Sequence, residues 1–407
     1  MKIGIVQVAL SHGGAEQVGI MLANGLHQHG NDTFILTDLN EPVVYQVDEK
    51  VPVYDFVGKK TNAFAKWVKA IKNIRRRLKQ EKPDAVIGIM GLCTLVTYIA
   101  CIGLRIPVVM TEHNSFERPA SAPMPLSLKV FKFWINKIYK HITVLTEADK
   151  IVIGKKLKNI KVMPNPLLLK PVEVIPPKEK VVLAAGRLDS WHYKGFDTLL
   201  KAWKSLTLNQ SLQSEGNDWW LKIAGNGKEE SFEYLMSIIK ESDFQFQVSS
   251  DGQKVWKSDK YHIEFLGFQK DMESLYRKSE IFVLSSRYEG FGLVLIEAMS
   301  QGCAPIACDY KGRQREIISP TSTLPSSKGV EVLLEGGYRG APCGILCEPE
   351  NVEALSSALE KMMKDEEYRK QAQQKSVERS KYYSLEKCVN RWEEFLRDEV
   401  IARGLKC

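Results

Sequence analysis

Residues 280–309 read EIFVLSSRYEGFGLVLIEAMSQGCAPIACD. The stretch contains an apolar run of strand length, a turn with two glycines, an apolar run of helical length and a further apolar run. This order predicts a strand, a helix and a second strand of a parallel α/β sheet, whose strands are buried on both faces. Glu289 and Glu297 interrupt the apolar pattern. We therefore expect the segment to carry function as well as core.

The same alternation of strands and helices extends over the chain of 407 residues. It runs through residues 1–169 and again through 181–385, which predicts two α/β domains of ordinary size. Between them, residues 170–180 (KPVEVIPPKEK) are rich in proline and charge and are typical of a hinge linker. Residues 386–407 are predicted to form a C-terminal helix that packs back on the N-terminal domain.

Three segments need separate interpretation. Residues 85–104 carry no charge over a length that could cross a bilayer, but the internal glycines and the following Pro107 favour strand, buried helix and strand. Residues 241–259 and 318–342 are polar, rich in Ser, Gly or Pro, and longer than typical loops. We interpret both as irregular surface insertions.

The positive charge is concentrated in the first domain. The whole chain has a net charge of +8, and residues 1–170 hold 24 Lys and Arg against 13 Asp and Glu. Residues 59–80 and 126–141 both read as helices with Phe, Trp and Ile on one side and basic residues around it. Each fits a packed helix with a solvated face, while the two together favour a surface that rests on anionic lipid. Nucleic acid is the weaker candidate, because no nucleic-acid motif accompanies the charge.

Composition and cysteine spacing exclude other classes. Hydrophobic residues form 44% of the chain and charged residues 26%, which indicates a folded globular protein rather than a disordered one. The eight cysteines include no C-x-x-C pair, so neither a zinc site nor a disulfide framework is expected. The first residues lack the pattern of a signal peptide, and we expect a cytoplasmic location.

The stretch at 280–309 also predicts where a ligand binds. In an open α/β sheet, ligands lie beyond the carboxyl ends of the strands, next to helix N-termini that favour phosphate. Glu289 precedes the predicted helix and Glu297 lies inside it, so both could accept hydrogen bonds from ligand hydroxyls. Arg187 follows a strand and Lys194 precedes a helix, and two such cations could stabilise a diphosphate leaving group without a metal. Asp-x-Asp, a common metal-diphosphate motif, does not occur in the sequence.

Four motifs stand in order along the chain. They are GGAE at 13–16, TEHN at 111–114, GRL at 186–188 with KGF at 194–196, and EGFG at 289–292 followed by Glu297. Together they resemble the motifs of glycosyltransferase family 4, retaining enzymes of the GT-B type. The resemblance implies two Rossmann-like domains with parallel sheets that face each other across a cleft.

The resemblance also implies roles for individual residues. Glu289 would contact hydroxyls of the donor sugar, and His113 would line the sugar pocket from the other domain. Both are candidate catalytic residues, although a lone histidine after an apolar strand could instead be satisfied within the core. The residues implied to bind the donor are Gly13, Gly14, Arg187, Lys194, Phe291, Gly292, Leu293 and Glu297. No metal or other cofactor is expected.

The activity implied is transfer of a hexose or N-acetylhexosamine from a nucleoside diphosphate sugar, with UDP as the expected nucleotide, to a hydroxyl of a lipid-linked or cell-surface glycan. With the basic helices of the first domain, we expect this transfer at the inner face of the cytoplasmic membrane. The departing phosphate would help to deprotonate the acceptor. Residues 311–318 (KGRQREII) stand where many relatives have a run that contains Gly-Pro. The identity of the donor sugar therefore cannot be inferred from those relatives. Two other functions stay open: a non-catalytic scaffold that binds a sugar nucleotide, and an epimerase or hydrolase on the same fold.

Overall fold

A computed structural model of the chain describes residues 1–10, 13–58, 63–118, 123–208, 218–248, 254–319, 332–334 and 338–402. The chain divides into two units. Met1–Leu168 and Tyr383–Cys407 form the first unit, and Leu169–Tyr382 forms the second. Each unit is built on a sheet with a parallel core, so the predicted α/β fold class is confirmed.

The described ranges of the first unit form a sheet of seven strands, whose pairs are all parallel. The strands are β1 (Lys2–Val6), β2 (Asp32–Thr37), β3 (Val53–Asp55), β4 (Ala85–Ile89), β5 (Val108–Thr111), β6 (His141–Val144) and β7 (Ile160–Val162). Their order across the sheet is β3-β2-β1-β4-β5-β6-β7. The central strands are apolar without alternation, as expected where helices cover both faces.

In the described part of the chain before the second unit, five helices accompany these strands. They are α1 (Gly14–Gln28), α2 (Ala63–Glu81), α3 (Gly91–Cys101), α4 (Leu126–Phe133) and α5 (Glu147–Ile153). A 3₁₀ turn, Ile135–Ile138, follows α4. The uncharged stretch at 85–104 forms β4 and the largely buried α3, as the sequence predicted. Within the described ranges, no helix is both long enough and apolar enough to cross a membrane.

Among the residues that the structure covers, the sheet of the second unit has ten strands of mixed direction. They are β8 (Glu179–Ala185), β9 (Trp220–Ala224), β10 (Gln245–Val248), β11 (Lys254–Ser258), β12 (Ile263–Gly267), β13 (Ser279–Leu284), β14 (Ala304–Cys308), β15 (Val332–Leu334), β16 (Tyr338–Ala341) and β17 (Gly344–Cys347). Their order is β10-β11-β12-β9-β8-β13-β14-β17-β16-β15. The six strands from β12 to β17 in this order are parallel.

The helices of this unit are α6 (Trp191–Lys194), α7 (Phe196–Leu208), α8 (Glu229–Ile239), α9 (Met272–Lys278), α10 (Leu293–Ser300), α11 (Arg313–Ile318), α12 (Val352–Lys364) and α13 (Glu366–Ser380). The stretch at 280–309 therefore folds as β13, α10 and β14. The strands β13 and β14 pair in parallel, with Ile281 opposite Ala304. The strand, helix and strand predicted there are confirmed.

The two segments interpreted as irregular insertions contribute strands to the two edges of the ten-stranded sheet, so the prediction that they are irregular was wrong. Within 241–259, β10 and β11 form an antiparallel hairpin in which Phe246 stands opposite Trp256, with ring centroids 4.9 Å apart. Within 318–342, β15 and β16 form a second hairpin, while residues 320–331 and 335–337 lie outside the described part. The sequence did not predict these strands, because the side-chain pairs that stabilise them form between two strands across a turn. Within one strand, apolar and polar residues alternate over only a few positions.

The predicted linker is fixed to the second unit by Lys178. Its Nζ atom lies 2.9 to 3.1 Å from four backbone carbonyl oxygens, which share its three N–H groups and belong to Tyr276, Arg277, Ser279 and Gln301. Burial lowers the pKa of Lys178. The segment that leads into β8 is therefore held against the end of α9 and the start of β13.

The last helix, α14 (Leu385–Phe395), belongs to the first unit. It continues as a π-helical turn, Leu396–Ile401. Val389, Trp392 and Phe395 are buried in the same core as α1, β1 and β4. The C-terminal part of the chain thus completes the hydrophobic core that the N-terminal strands begin.

Candidate active site

Glu289 and Lys194 form an ion pair at the carboxyl edge of the parallel strands in the second unit. Glu289 lies on the loop between β13 and α10. Its Oε1 atom accepts hydrogen bonds from Lys194 Nζ at 2.6 Å and from Ser286 Oγ at 2.8 Å. Its Oε2 atom accepts none from a residue that the structure describes. One oxygen of Glu289 is therefore left for hydrogen bonds from a ligand.

Backbone contacts hold this pair in position. Lys194 ends α6, and Gly195 after it is left-handed, with φ 65°. A Cβ atom at Gly195 would lie 2.0 Å from the carbonyl oxygen of Ser285, so this close approach requires glycine. Ser285 Oγ also donates to the Lys194 carbonyl at 2.8 Å, and the Arg287 amide donates to the Tyr193 carbonyl at 2.9 Å. The KGF and EGFG motifs are thus packed against each other.

Arg287 supports the site, and the sequence analysis did not identify it. Its side chain is 8% exposed and donates to both carboxylate oxygens of Asp197, at 2.6 and 2.7 Å, and to the His192 carbonyl at 2.6 Å. Burial opposes ionisation of Asp197, but the hydrogen bonds and charge of Arg287 outweigh it and hold the pKa of that carboxyl below its ordinary value. An arginine next to EGFG in an otherwise apolar run was the available signal.

Glu297 lies inside α10, where it accepts a hydrogen bond from the Tyr276 hydroxyl at 3.1 Å. Tyr276 comes from α9 and is fully buried. Burial raises the pKa of Glu297, and the bond from Tyr276 opposes that shift only in part. Glu297 is therefore on the predicted helix, but its carboxyl binds a proton more readily than an exposed glutamate does.

The other predicted residues of the second unit lie on the same loop or on the loop after β8. Gly292 precedes α10 with φ 94°, a left-handed conformation that favours glycine. Phe291 is buried, and Leu293 begins the helix, whose first N–H groups have no partners within it. Arg187 is exposed, and its guanidinium makes no hydrogen bond or ion pair within the ranges that the structure covers.

His113 follows β5 in the first unit and is held by Thr111. Its Nε2 atom lies 3.1 Å from Thr111 Oγ1, which donates its own proton to the Gly88 carbonyl at 2.9 Å. We assign the hydrogen to Nε2, because Thr111 Oγ1 uses its own proton on Gly88, and Nδ1 then keeps a lone pair with no described residue in hydrogen-bond geometry to it. Burial lowers the pKa of His113 to about 4, against a smaller opposing contribution from the Asn165 side chain. In this tautomer His113 is neutral at pH 7 and offers Nδ1 as an acceptor.

Gly13 and Gly14 stand at the N-terminus of α1. Gly14 is the first residue of the helix, and Gly13 has an extended backbone with φ 177°. Gln7, which follows β1, donates from Nε2 to two backbone carbonyls, including that of Glu16 in the first turn of α1. Gln7 therefore links the end of β1 to the first turn of α1. Residues 11–12 of the loop between them lie outside the described part.

In each unit, the predicted residues occupy the carboxyl edge of the sheet. The structure brings Lys194 and Glu289 into contact in the second unit and places Glu297 on the adjoining helix. In the first unit, His113 follows β5 and Gly13 precedes α1. No group of three or more His, Cys, Asp or Glu side chains among the described residues could hold a metal ion.

Profiles of two sequence families match the chain. The family described as Glycosyltransferase Family 4 matches residues 12–167, and the family described as Glycosyl transferases group 1 matches residues 179–365. An uncharacterized glycosyltransferase of Haemophilus influenzae is 31% identical over 97% of this chain and 99% of its own length. GalNAc-alpha-(1->4)-GalNAc-alpha-(1->3)-diNAcBac-PP-undecaprenol alpha-1,4-N-acetyl-D-galactosaminyltransferase of Campylobacter jejuni is 25% identical over 96% of this chain and 97% of its own.

Solved structures of similar fold also span the chain. Sucrose-phosphate synthase from Thermosynechococcus elongatus has a TM-score of 0.73 at 18% identity and covers 97% of this chain and 98% of its own. WaaG, a glycosyltransferase involved in lipopolysaccharide biosynthesis, has a TM-score of 0.63 at 14% identity and covers 97% and 100%. At such identities these structures establish the fold alone.

Proposed function

The chain belongs to glycosyltransferase family 4 and has the GT-B fold, and from this premise we propose a specific transfer reaction. The protein transfers a hexose or N-acetylhexosamine from a UDP-sugar to a hydroxyl of a lipid-linked or cell-surface glycan, with retention of the anomeric configuration. The observation that carries the proposal is the ion pair of Glu289 and Lys194. The Campylobacter relative supports the acceptor class, because its name specifies a PP-undecaprenol acceptor.

The ion pair suits a sugar nucleotide because each partner keeps unused hydrogen-bonding capacity. An ammonium group has three N–H donors, and Lys194 uses one of them on Glu289. We assign the other donors, together with the exposed Arg187, to the diphosphate, whose negative charge grows as the bond to the sugar breaks. We assign Oε2 of Glu289 to hydroxyls of the sugar. In this assignment Lys194, which is held by Glu289, and the exposed Arg187 supply the stabilisation without a metal.

In the proposed step, the bond between the anomeric carbon and the diphosphate oxygen breaks. The acceptor oxygen forms its bond on the same face of that carbon, and the acceptor proton passes to the departing diphosphate. A dedicated protein base is then unnecessary. His113 suits a different role, because a histidine with a pKa of about 4 is a poor base at neutral pH but its Nδ1 can accept a hydrogen bond from a sugar hydroxyl.

Thermal unfolding with UDP-, GDP- and ADP-sugars, without added metal, tests the donor. We expect one UDP-sugar to raise the Tm selectively, since a ligand that binds only the native state stabilises it. Glu289→Gln should reduce this rise and slow transfer to a polyprenyl-diphosphate-linked glycan by at least about tenfold, which corresponds to about 1.4 kcal/mol in the barrier. Glu264→Gln is the matched control, because Glu264 also pairs with a lysine, Lys222 at 3.3 Å, but lies on β12.

The same assay separates the competing functions. Donor binding without transfer to any acceptor would favour the scaffold. Release of UDP at the same rate with and without acceptor would favour a hydrolase. Unchanged binding and transfer in Glu289→Gln would overturn the assignment of Glu289.

We also propose that the first unit rests on an anionic membrane through one surface of α4 and the following turn. Four apolar side chains recur there at every fourth position and are 40 to 76% exposed: Leu126, Val130, Trp134 and Ile138. Three exposed lysines accompany them: Lys129, Lys137 and Lys140. We call these seven residues the α4 surface. Apolar side chains that enter the interface beside lysines that meet lipid phosphates are typical of helices that lie on a membrane.

The basic stretch at 59–80, which includes most of α2, differs because α2 buries apolar side chains. Ala70, Ile74 and Leu78 of α2 are fully buried, so the apolar side of α2 packs within the unit. Arg75 donates to the carbonyls of Ala100 and Ile102. The packed-helix interpretation therefore suits α2, and we restrict the proposed contact with the inner face of the cytoplasmic membrane to the α4 surface.

Vesicle flotation tests this contact. Binding to phosphatidylglycerol vesicles should exceed binding to phosphatidylcholine vesicles, and Leu126→Ser with Trp134→Ala should reduce it at least about threefold. Val68→Ser is the control, because Val68 is 38% exposed but lies on α2. Equal binding by wild type and the double variant would contradict the proposal.

A further inference from the structure

Lys132 belongs to α4 but does not share the exposure of the α4 surface. The basic stretch at 126–141 predicted a lysine in contact with solvent or lipid, whereas the side chain of Lys132 is only 3% exposed. Its Nζ atom donates to the carbonyls of Asn114 at 2.9 Å and Ser115 at 2.8 Å, and forms an ion pair with Glu112 at 3.3 Å. Lysine is seldom buried unless it is paired, and here one ammonium group serves three acceptors.

All three acceptors belong to the segment that carries His113, which we call the His113 loop (residues 112–116). Glu112 precedes His113, and its Oε1 atom also accepts a hydrogen bond from the Asn114 amide at 3.0 Å. The carboxylate is therefore shared between the loop backbone and Lys132. Any shift of the ammonium group would move residues on both sides of His113 together.

The His113 loop is braced from a second direction by Asp149 of α5. Asp149 Oδ1 accepts hydrogen bonds from Ser115 Oγ at 3.1 Å and from the Phe116 amide at 3.0 Å. Lys132 Nζ lies 4.6 Å from the centre of the Phe116 ring, within the range of a cation–π contact. Asp149 fixes the far end of the loop, and Lys132 fixes the part next to His113.

We propose that Lys132 is a positioning residue for glycosyl transfer, which acts through the His113 loop and sets where His113 presents Nδ1 to the sugar. This inference rests on the proposed function. Hydrogen bonds from a charged donor to two successive carbonyls, of which that of Ser115 is buried, are stronger and more directional than apolar packing. Their loss would leave the Ser115 carbonyl without this donor and the buried Glu112 without its cation, and a small displacement of a group that contacts substrate is enough to slow a reaction.

Steady-state kinetics in detergent, where membrane binding makes no contribution, test the role of Lys132. Lys132→Met should lower kcat at least about tenfold while the donor-induced rise in Tm is retained, because the residues assigned to the nucleotide lie in the second unit. If the unpaired Glu112 prevents folding, Lys132→Met with Glu112→Gln removes both charges, and the same loss of kcat is expected. Lys150→Met is the control, because Lys150 lies on α5, is exposed and also pairs with a glutamate, Glu147 at 3.4 Å, and its loss should leave kcat unchanged.

A double-mutant cycle with His113→Ala distinguishes positioning from general support of the fold. Without the imidazole there is no group for the loop to place, so Lys132→Met should then change kcat by less than about twofold. An equal loss of kcat in both backgrounds, or wild-type kcat in the folded Lys132→Met and Glu112→Gln protein, would overturn the inference. It would also be overturned if His113→Ala alone transferred sugar at the wild-type rate. Absence of transfer by the wild-type protein with every sugar nucleotide would remove the proposed function together with it.

Discussion

Nδ1 of His113 has a property that most buried polar atoms lack, because no described residue lies in hydrogen-bond geometry to it. Oε2 of Glu289, on a partly exposed side chain, also accepts no hydrogen bond from the described part of the chain. Buried polar atoms are nearly always paired in folded proteins, and one left unpaired lowers stability. Such an acceptor is better explained by a ligand that supplies the missing donor, and sugar hydroxyls are donors of this kind.

His113 should also make the stability of the protein depend on pH. Burial lowers its pKa to about 4 from the ordinary value of 6.5. Between these values the unfolded chain binds a proton at His113 that the folded chain does not bind, so the free energy of unfolding falls as the pH falls through this window. His113→Gln should therefore lose less in Tm than the wild type between about pH 7 and about pH 5, as measured by calorimetry. An equal loss in both proteins would show that His113 is not held neutral in solution.

Among the elements, the contact between α6 and the loop after β13 decides the geometry of the donor residues. Arg287 joins the loop to α6 through the His192 carbonyl and to the start of α7 through Asp197, and the left-handed Gly195 allows the close approach. Glu289 and Lys194 lie on either side of this junction. The distance between their charges is therefore set by backbone packing rather than by flexible side chains alone.

Replacement of Arg287 should lower both the free energy of unfolding and donor binding, and a second substitution at Asp197 should restore the free energy of unfolding alone. Arg287→Met leaves the Asp197 carboxylate buried without its partner, which should lower the free energy of unfolding by about 3–5 kcal/mol in urea denaturation. Arg287→Met with Asp197→Leu should recover most of that stability, because neither charge is then buried alone. The donor-induced rise in Tm should stay small in both variants, since the link to α6 is absent. A double variant that binds donor like the wild type would show that Arg287 does not position the loop.

How far the sequence could predict these elements depends on the range of the interactions. The strand, helix and strand at 280–309 were predictable because apolar runs and glycine turns are local signals. The buried states of Arg287 and Lys132 were not, because burial of a charge depends on partners far along the chain: Asp197 lies 90 positions from Arg287. The donor motifs were recognised from their order, but the Glu289–Lys194 contact, between residues 95 positions apart, required the fold.

At the scale of the whole molecule, the chain leaves the first unit at Leu168 and returns to it at Tyr383. The returning segment is part of the hydrophobic core, since Val389, Trp392 and Phe395 are buried with the residues of β1 and β4. The stability of the first unit therefore depends on residues at both ends of the sequence. Glu289 and the residues that we assign to the diphosphate, Arg187 and Lys194, all lie in the intervening second unit.

Trp392→Ala tests this division of the molecule. Trp392 is 6% exposed, and its truncation should lower the free energy of unfolding of the first unit by about 3–5 kcal/mol. Trp134→Ala is the matched control in detergent-free solution, because Trp134 is 69% exposed and its loss should change stability by less than about 0.5 kcal/mol. In both variants, isothermal titration at a temperature where the protein is folded should give the wild-type affinity for the UDP-sugar. If folded Trp392→Ala lost that affinity, donor binding would depend on the first unit as well, and the assignment of the nucleotide to Arg187 and Lys194 would be incomplete.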